Sequence, residues 1–402
     1  MPDFDDRLQS LVGDAGRTLR GAARAVKSAF DDDPFEIVSY RGYGNRKQAR
    51  VYGRVVERRT VGASTDADSI LRNLLNTYRR ADSNPLPFAE VSVSWGGGNA
   101  QLKGDDEGFF GGSIEANIPP DAGREWHEYD VELLSAELAG TAAIKGVGET
   151  LVPAATARFG VISDIDDTVI QSRVSNFLLA ARTVILGNAR TRLPFPGVAA
   201  FYEALRNGSD GDEKNPIFYV SSSPWNIHDV ISEFMDLQKI PRGPVVLRDW
   251  DIRLGALAST RHFEHKGVAI QNIMNCYPSM PFILIGDTSQ HDPEIYRKIV
   301  EKFPNRVKAI YIRDVVRSAE RSASVQRLAD EVLAAGSALV VSEDTLGAAT
   351  HAAIQGWISE EALPGVREEK DADQGADDSK EPAPGGGMPA SGEPPIVIDD
   401  SI

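Results

Sequence analysis

The chain has 402 residues, 42% hydrophobic and 25% charged, an ordinary globular composition with room for two or three domains. No apolar run approaches a membrane span, the first thirty residues lack the apolar core of a secretory signal, and the single cysteine, Cys276, excludes an internal disulfide, so a cytoplasmic protein is expected. The net charge of −16 disfavours nucleic-acid binding, and much of it is local: from Glu360 to Ile402 there are 12 acidic and 3 basic residues.

Residues 1–33 are expected to form an amphipathic helix over 5–30. Leu8, Leu11, Val12, Leu19 and Val26 fall near one face, with Arg17, Arg20, Arg24 and Lys27 beside them. The pattern fits a membrane-surface helix or a helix docked on its own protein. Residues 34–145 read as a β-rich, sandwich-like domain, with strands at 35–40, 51–56, 89–95 and 129–134 and one inserted helix at 66–80. The Asp105-Asp106-Glu107 turn lacks the ligand spacing of a calcium loop and reads as solvated.

From 146 to 360 the texture changes. Apolar runs at 159–163, 216–220, 244–247, 282–285, 307–312 and 338–342 alternate with amphipathic segments at 197–207, 226–237, 266–276, 292–303, 322–335 and 344–358. That alternation predicts an α/β fold, a Rossmann-like parallel sheet with helices on both faces. Residues 361–402, rich in Pro, Gly, Asp and Glu, are expected to be a disordered acidic tail.

The second unit carries the chemistry. Asp164-Ile165-Asp166-Asp167-Thr168 follows the first apolar run, so two carboxylates emerge at the C-terminal end of a strand, where open α/β sheets place their ligand crevice. Alone, the pentapeptide fits either an Asp-rich turn or a nucleophile with a proton-transfer partner. Three more features follow in order. Ser221-Ser222-Ser223 ends the second run, Lys266 opens a helix, and Gly286-Asp287, with Asp292 beyond, ends the fourth run. Hydroxyls, a lysine and further carboxylates at strand ends suit phosphate and divalent-cation chemistry.

The ordered set resembles the haloacid dehalogenase superfamily of aspartate-nucleophile phosphatases. The runs Tyr219-Val220-Ser221-Ser222-Ser223-Pro224-Trp225 and Ile285-Gly286-Asp287-Thr288-Ser289-Gln290-His291-Asp292-Pro293 are similar to the phosphatase domain of the actin-patch phosphatidate phosphatase family, distantly related to the lipins. Tyr40-Arg41-Gly42-Tyr43-Gly44 and Gly53-Arg54-Val55 resemble the companion domain of bacterial members.

The resemblance implies a hydrolase of lipid metabolism with Asp164 as nucleophile and Asp166 as acid/base. It implies Ser221 or Ser222, with Thr168, as phosphate contacts, and Lys266 as the balancing charge. Asp164, Asp166 (through its carbonyl) and Asp287 would hold Mg²⁺, with Asp292 as a direct or supporting ligand.

Neither the stretch from Thr168 to Pro196 nor that from Ser223 to Lys266 is long enough for a folded cap. An uncovered site suits a large substrate, a phospholipid at a bilayer surface or a phosphoprotein. The segment 173–193 places Phe177-Leu178-Leu179 between Arg173 and Arg182, fitting a lipid-touching flap or an internal one. Phosphatidate hydrolysis is the first expectation and stands beside two alternatives: a lipid-phosphate-binding module without turnover, and the same chemistry on a phosphoprotein or soluble phosphoester.

Overall fold

The computed structural model describes residues 35–58, 84–119, 124–134, 143–169, 195–248, 262–316 and 318–378. The expected N-terminal helix, the inserted helix at 66–80, the segment 173–193 and the tail beyond 378 lie outside the described residues.

The first unit is one seven-stranded sheet. Its strands are β1 (Phe35–Gly44), β2 (Gln48–Glu57), β3 (Glu90–Trp95), β4 (Gly98–Lys103), β5 (Phe109–Glu115), β6 (Trp126–Leu133) and β7 (Lys145–Leu151), in the order β4-β3-β6-β7-β1-β2-β5. Neighbours are antiparallel except β1 and β7. The sandwich expectation is corrected here, and the physical reason is a short connection. Strands β4 and β5 lie at opposite edges of the order yet are joined by residues 104–108 alone. Such a link spans at most about 20 Å, whereas seven flat strands would separate their edges by about 29 Å. The sheet therefore curls until its edges meet, around Val51, Val91, Val93, Trp95, Phe110, Tyr129 and Val131. Because β7 belongs to this sheet, the first unit runs past the expected boundary at 145.

The second unit contains β8 (Gly160–Asp164), α1 (Val198–Asn207), β9 (Ile217–Pro224), α2 (His228–Leu237), β10 (Val245–Arg248), α3 (His262–Cys276), β11 (Phe282–Asp287) and α4 (Asp292–Lys302). It continues through β12 (Val307–Arg313), α5 (Ala319–Ala334), β13 (Ala338–Ser342), α6 (Thr345–Ile354) and α7 (Leu363–Asp378). The six strands are all parallel, in the order β10-β9-β8-β11-β12-β13. The chain thus builds outward from β8 on one side and then returns to add β11 on the other. The β8/β11 boundary is the topological switch point, where loops leave in opposite directions and open a crevice.

The acidic tail begins later than expected. Helix α7 occupies part of the stretch expected to be disordered, and Val366 is fully buried. The Glu369 carboxylate accepts a hydrogen bond from the Ala200 amide in the first turn of α1 (2.6 Å), while Lys370 pairs with Asp344 (2.5 Å). Apolar packing by Val366 and the half-buried Leu363, with these two polar contacts, holds a helix whose own pattern is mostly charged. Among the described residues, no helix is long and apolar enough to cross a membrane.

The two units share one core. Tyr40, Tyr43, Tyr52 and Phe109 of the curled sheet are buried together with Phe218, Trp225 and Tyr277 of the parallel unit. Ion pairs ring this junction, joining Arg41 to Asp236, Arg206 to Glu125 and Arg242 to Glu149.

His228 sits within the junction, its ring 4.1 Å from that of Tyr40, and burial lowers its pKa more than the facing Asp229 restores it. The folded state therefore binds this proton more weakly than the unfolded chain does. The associated stability is present above the unfolded value of about 6.5 and is lost as pH falls toward the lowered folded value. Thermal melts from pH 7.5 to 5 should show a smaller decline in Tm for His228→Gln than for the parent.

Candidate active site

Strand β8 delivers Asp164 into the crevice because its preceding residues form a continuous buried run that fixes the strand between β9 and β11. Beyond it the chain turns sharply, with Asp167 in the left-handed region (φ 56°). Asp tolerates this conformation better than most residues. The turn brings Thr168 back beneath the carboxylates, its hydroxyl 3.5 Å from Asp164 Oδ2 and 3.4 Å from Asp287 Oδ2. Those two oxygens consequently face a common space.

Lys266, in the second turn of α3, is buried with its ammonium 2.9 Å from Asp164 Oδ1 and 2.5 Å from Asp292 Oδ1. Asp292 opens α4, and its other oxygen accepts from the Asp287 amide at 3.3 Å. Both oxygens of Asp292 are thus engaged in orienting Lys266 and the end of β11. Gly286 permits this approach, since a Cβ there would fall 2.4 Å from Asp292 Oδ2.

Asp166 faces a different environment. Its Oδ2 accepts from Ser221 Oγ at 2.6 Å and lies 3.4 Å from Ser223 Oγ, and the Ser223 amide donates to Ser221 Oγ at 2.9 Å. Alternation along β9 puts Ser221 and Ser223 on one face and Ser222 on the other. Of the two serines expected as phosphate contacts, Ser221 is the one bonded to Asp166, the second aspartate of the motif.

Sequence reasoning passed over Ser223, Ser289, Gln290 and Arg321. Ser289, through its amide (2.5 Å) and hydroxyl, and the Gln290 amide (3.3 Å) hold Asp287 Oδ1. The Gln290 side chain reaches Lys266 at 3.4 Å. Arg321, from α5, donates to the carbonyls of Thr288 (3.1 Å) and Gln290 (2.7 Å) and pairs with Glu294, securing that loop. Period-two alternation would have found Ser223. Nothing in the local sequence marks Arg321.

Burial raises the Asp164 pKa well above the usual carboxylate range, with Asp292, Asp166 and Asp287 adding to the rise and Lys266 opposing it. Burial also raises Asp287, assisted by Asp292 and opposed by Ser289. For Lys266, burial favours deprotonation, but Asp164 and Asp292 together outweigh it and the pKa rises. Burial drives the two carboxylates upward and their mutual repulsion adds to it, while the paired carboxylates Asp164 and Asp292 hold the proton on Lys266.

Asp164, Asp287 and Asp292 bring ligand oxygens within 4.8 Å of one another. The donors are hard, anionic oxygens, and in their ionised forms the cluster carries two negative charges beyond what Lys266 balances. A divalent, oxygen-seeking cation such as Mg²⁺ fits that set. Asp164 and Asp287 would hold it, with Asp292 supporting.

Opposite stability effects are expected from removing opposite charges. In chelator, Lys266→Met should destabilise the fold by roughly 3–5 kcal/mol because it strands buried carboxylates. Asp287→Asn should raise Tm in chelator by relieving repulsion. With Mg²⁺ at about a hundredfold its Kd, the parent should gain roughly 3 kcal/mol while Asp287→Asn gains little. Thermal melts with and without Mg²⁺ measure all three.

Comparison with known proteins matches residues 159–314 to the family described as phosphatidate phosphatase APP1, catalytic domain. The chain is 32% identical over 155 residues to phosphatidate phosphatase APP1 of Saccharomyces cerevisiae, covering 38% of this chain and 25% of that protein. It is 29% identical over 161 residues to an uncharacterized protein of Schizosaccharomyces pombe, covering 39% of this chain and 25% of that one. The chain therefore spans about a quarter of the length of the curated relatives it matches. Among solved structures, the PilB minor pilin from Streptococcus sanguinis covers 78% of this chain and 99% of its own at 8% identity, with a TM-score of 0.24, too low to bear on fold. The matched segment contains the whole crevice from Asp164 to Asp292, and it is this part of the chain that is similar to the phosphatidate phosphatase APP1 catalytic domain.

Proposed function

We propose that the crevice is a phosphatase site that hydrolyses phosphatidate to diacylglycerol through an aspartyl-phosphate on Asp164. The observation that carries this reading is the division of environments within one motif. Asp164 is buried against Lys266, whereas Asp166, two residues on, is bonded to Ser221. Two carboxylates held apart in this way suit two different jobs.

Asp164 would attack phosphorus, forming a carboxylate-oxygen-to-phosphorus bond as the bond to the substrate alkoxide breaks. Asp166 would deliver a proton to the departing alkoxide. In the second step Asp166 would take a proton from water as that water attacks phosphorus, releasing phosphate and restoring Asp164. Lys266 balances negative charge at the nucleophile, and Ser221 and Ser223 offer hydroxyls to the phosphoryl oxygens once they release Asp166. Mg²⁺, when held by Asp164 and Asp287, supplies charge neutralisation for the phosphoryl group.

The substrate is inferred from the relative named a phosphatidate phosphatase and from the lack of sequence for a folded cap, which suits a lipid met at a bilayer surface. Retention of Asp166 favours turnover over binding alone.

Phosphate release from phosphatidate in mixed micelles, with and without Mg²⁺, tests the reading. Asp164→Asn and Asp166→Asn should each lower kcat by at least about 100-fold. Equal release by the parent and Asp164→Asn would remove the nucleophile assignment. Turnover of a soluble aryl phosphate alone would keep the mechanism and remove the lipid.

A further inference from the structure

We infer that the curled sheet is part of the catalytic unit, with Tyr40 and Tyr52 acting as positioning residues for the phosphate-contacting serines. The inference rests on the phosphatase reading above and extends it beyond the matched segment, since both tyrosines precede residue 159.

The physical chain begins at Tyr129, whose hydroxyl is shared between the carbonyls of Tyr40 (3.0 Å) and Tyr52 (3.1 Å). That buried donor pins β1 to β2 at the two residues whose rings leave the sheet. The Tyr40 ring lies 5.3 Å from Trp225 and the Tyr52 ring 6.0 Å from it, both inclined at 36°. On the side of its own unit, Trp225 stacks on His228 at 5.1 Å and donates from Nε1 to the Leu247 carbonyl at 2.9 Å. The indole is therefore clamped between the two units, only 3% exposed.

Trp225 is joined to Ser223 through Pro224 alone, and the proline ring removes one backbone rotation from that link. A shift of the indole is thus carried to Ser223, and from the Ser223 amide to Ser221 Oγ and Asp166. The Asp287 side of the crevice is secured separately by Ser289, Gln290 and Arg321. Loss of the tyrosine rings should consequently disturb phosphate binding and turnover while leaving the cation response in place.

The full chain and its Tyr40→Leu, Tyr52→Leu, Tyr40→Phe and Tyr52→Phe variants provide the test. Three quantities are measured: affinity for inorganic phosphate in saturating Mg²⁺, the thermal shift produced by Mg²⁺ alone, and kcat and KM for a soluble aryl phosphate. The leucine variants should bind phosphate and turn over roughly 10- to 100-fold less well, with an unchanged Mg²⁺ shift. The phenylalanine variants, which keep the rings, should behave as the parent.

Leucine variants that lose stability but keep phosphate affinity and kcat would overturn the inference, as would phosphate and Mg²⁺ responses that fall together. If leucine at either position prevents folding, Phe109→Leu tests the same chain from behind, because the Phe109 ring supports Tyr40 at 6.4 Å. A parent with neither phosphate response nor turnover overturns the phosphatase reading and this inference with it. A responsive parent with indifferent leucine variants overturns this inference alone.

Discussion

The buried ammonium of Lys266 is the constraint around which the parallel unit is arranged. It meets Asp164 at the end of β8 and Asp292 at the start of α4, so three elements distant in sequence must arrive together. Burying charges is expensive unless each is paired. One lysine among three buried carboxylates leaves the cluster short of positive charge: burial raises the pKa of Asp164 and Asp287 with repulsion between the acids adding to it, and the neighbouring acids raise that of Lys266. The same imbalance would favour a divalent cation under the reading proposed above, with stability given up in the ligand-free fold and regained on binding.

The parallel unit was readable because its central strands are buried on both faces and all of its strands appear as apolar runs. Phe282–Asp287 and Ala338–Ser342 stand almost where the sequence places them. The curled sheet was harder. β4 is Gly-Asn-Ala-Gln-Leu-Lys, alternating between exposed and half-buried positions, and β5 contains Gly111-Gly112, which resembles a turn. In β7, Gly148 occupies the place opposite Tyr129, where a Cβ would lie 2.1 Å from the tyrosine ring. A glycine required by a distant aromatic ring looks, locally, like a strand breaker.

At the site, carboxylates and lysine were legible because their spacing follows the strand ends. The loop fasteners were not, because Ser289 and Gln290 act through backbone amides and Arg321 arrives from a helix beyond the motifs. Helix α7 illustrates the same limit on a larger scale. Its charged sequence gives little amphipathic signal, and its order rests on the burial of Val366 and on the tertiary positions of Ala200 and Asp344.

The strand order has a consequence for biosynthesis. The ribosome releases Asp164 first, then Lys266, and only afterwards Asp287 and Asp292. Since β11 is added beside β8 only after α3 has been made, the counter-charge is available before the second and third acids need burial. A nascent chain that folds from its N-terminal side therefore has the ammonium at hand when the second and third carboxylates are enclosed, although two negative charges remain beyond what it balances. The order of charge along the polypeptide thus places the ammonium ahead of two of the three acids that it meets in the folded crevice.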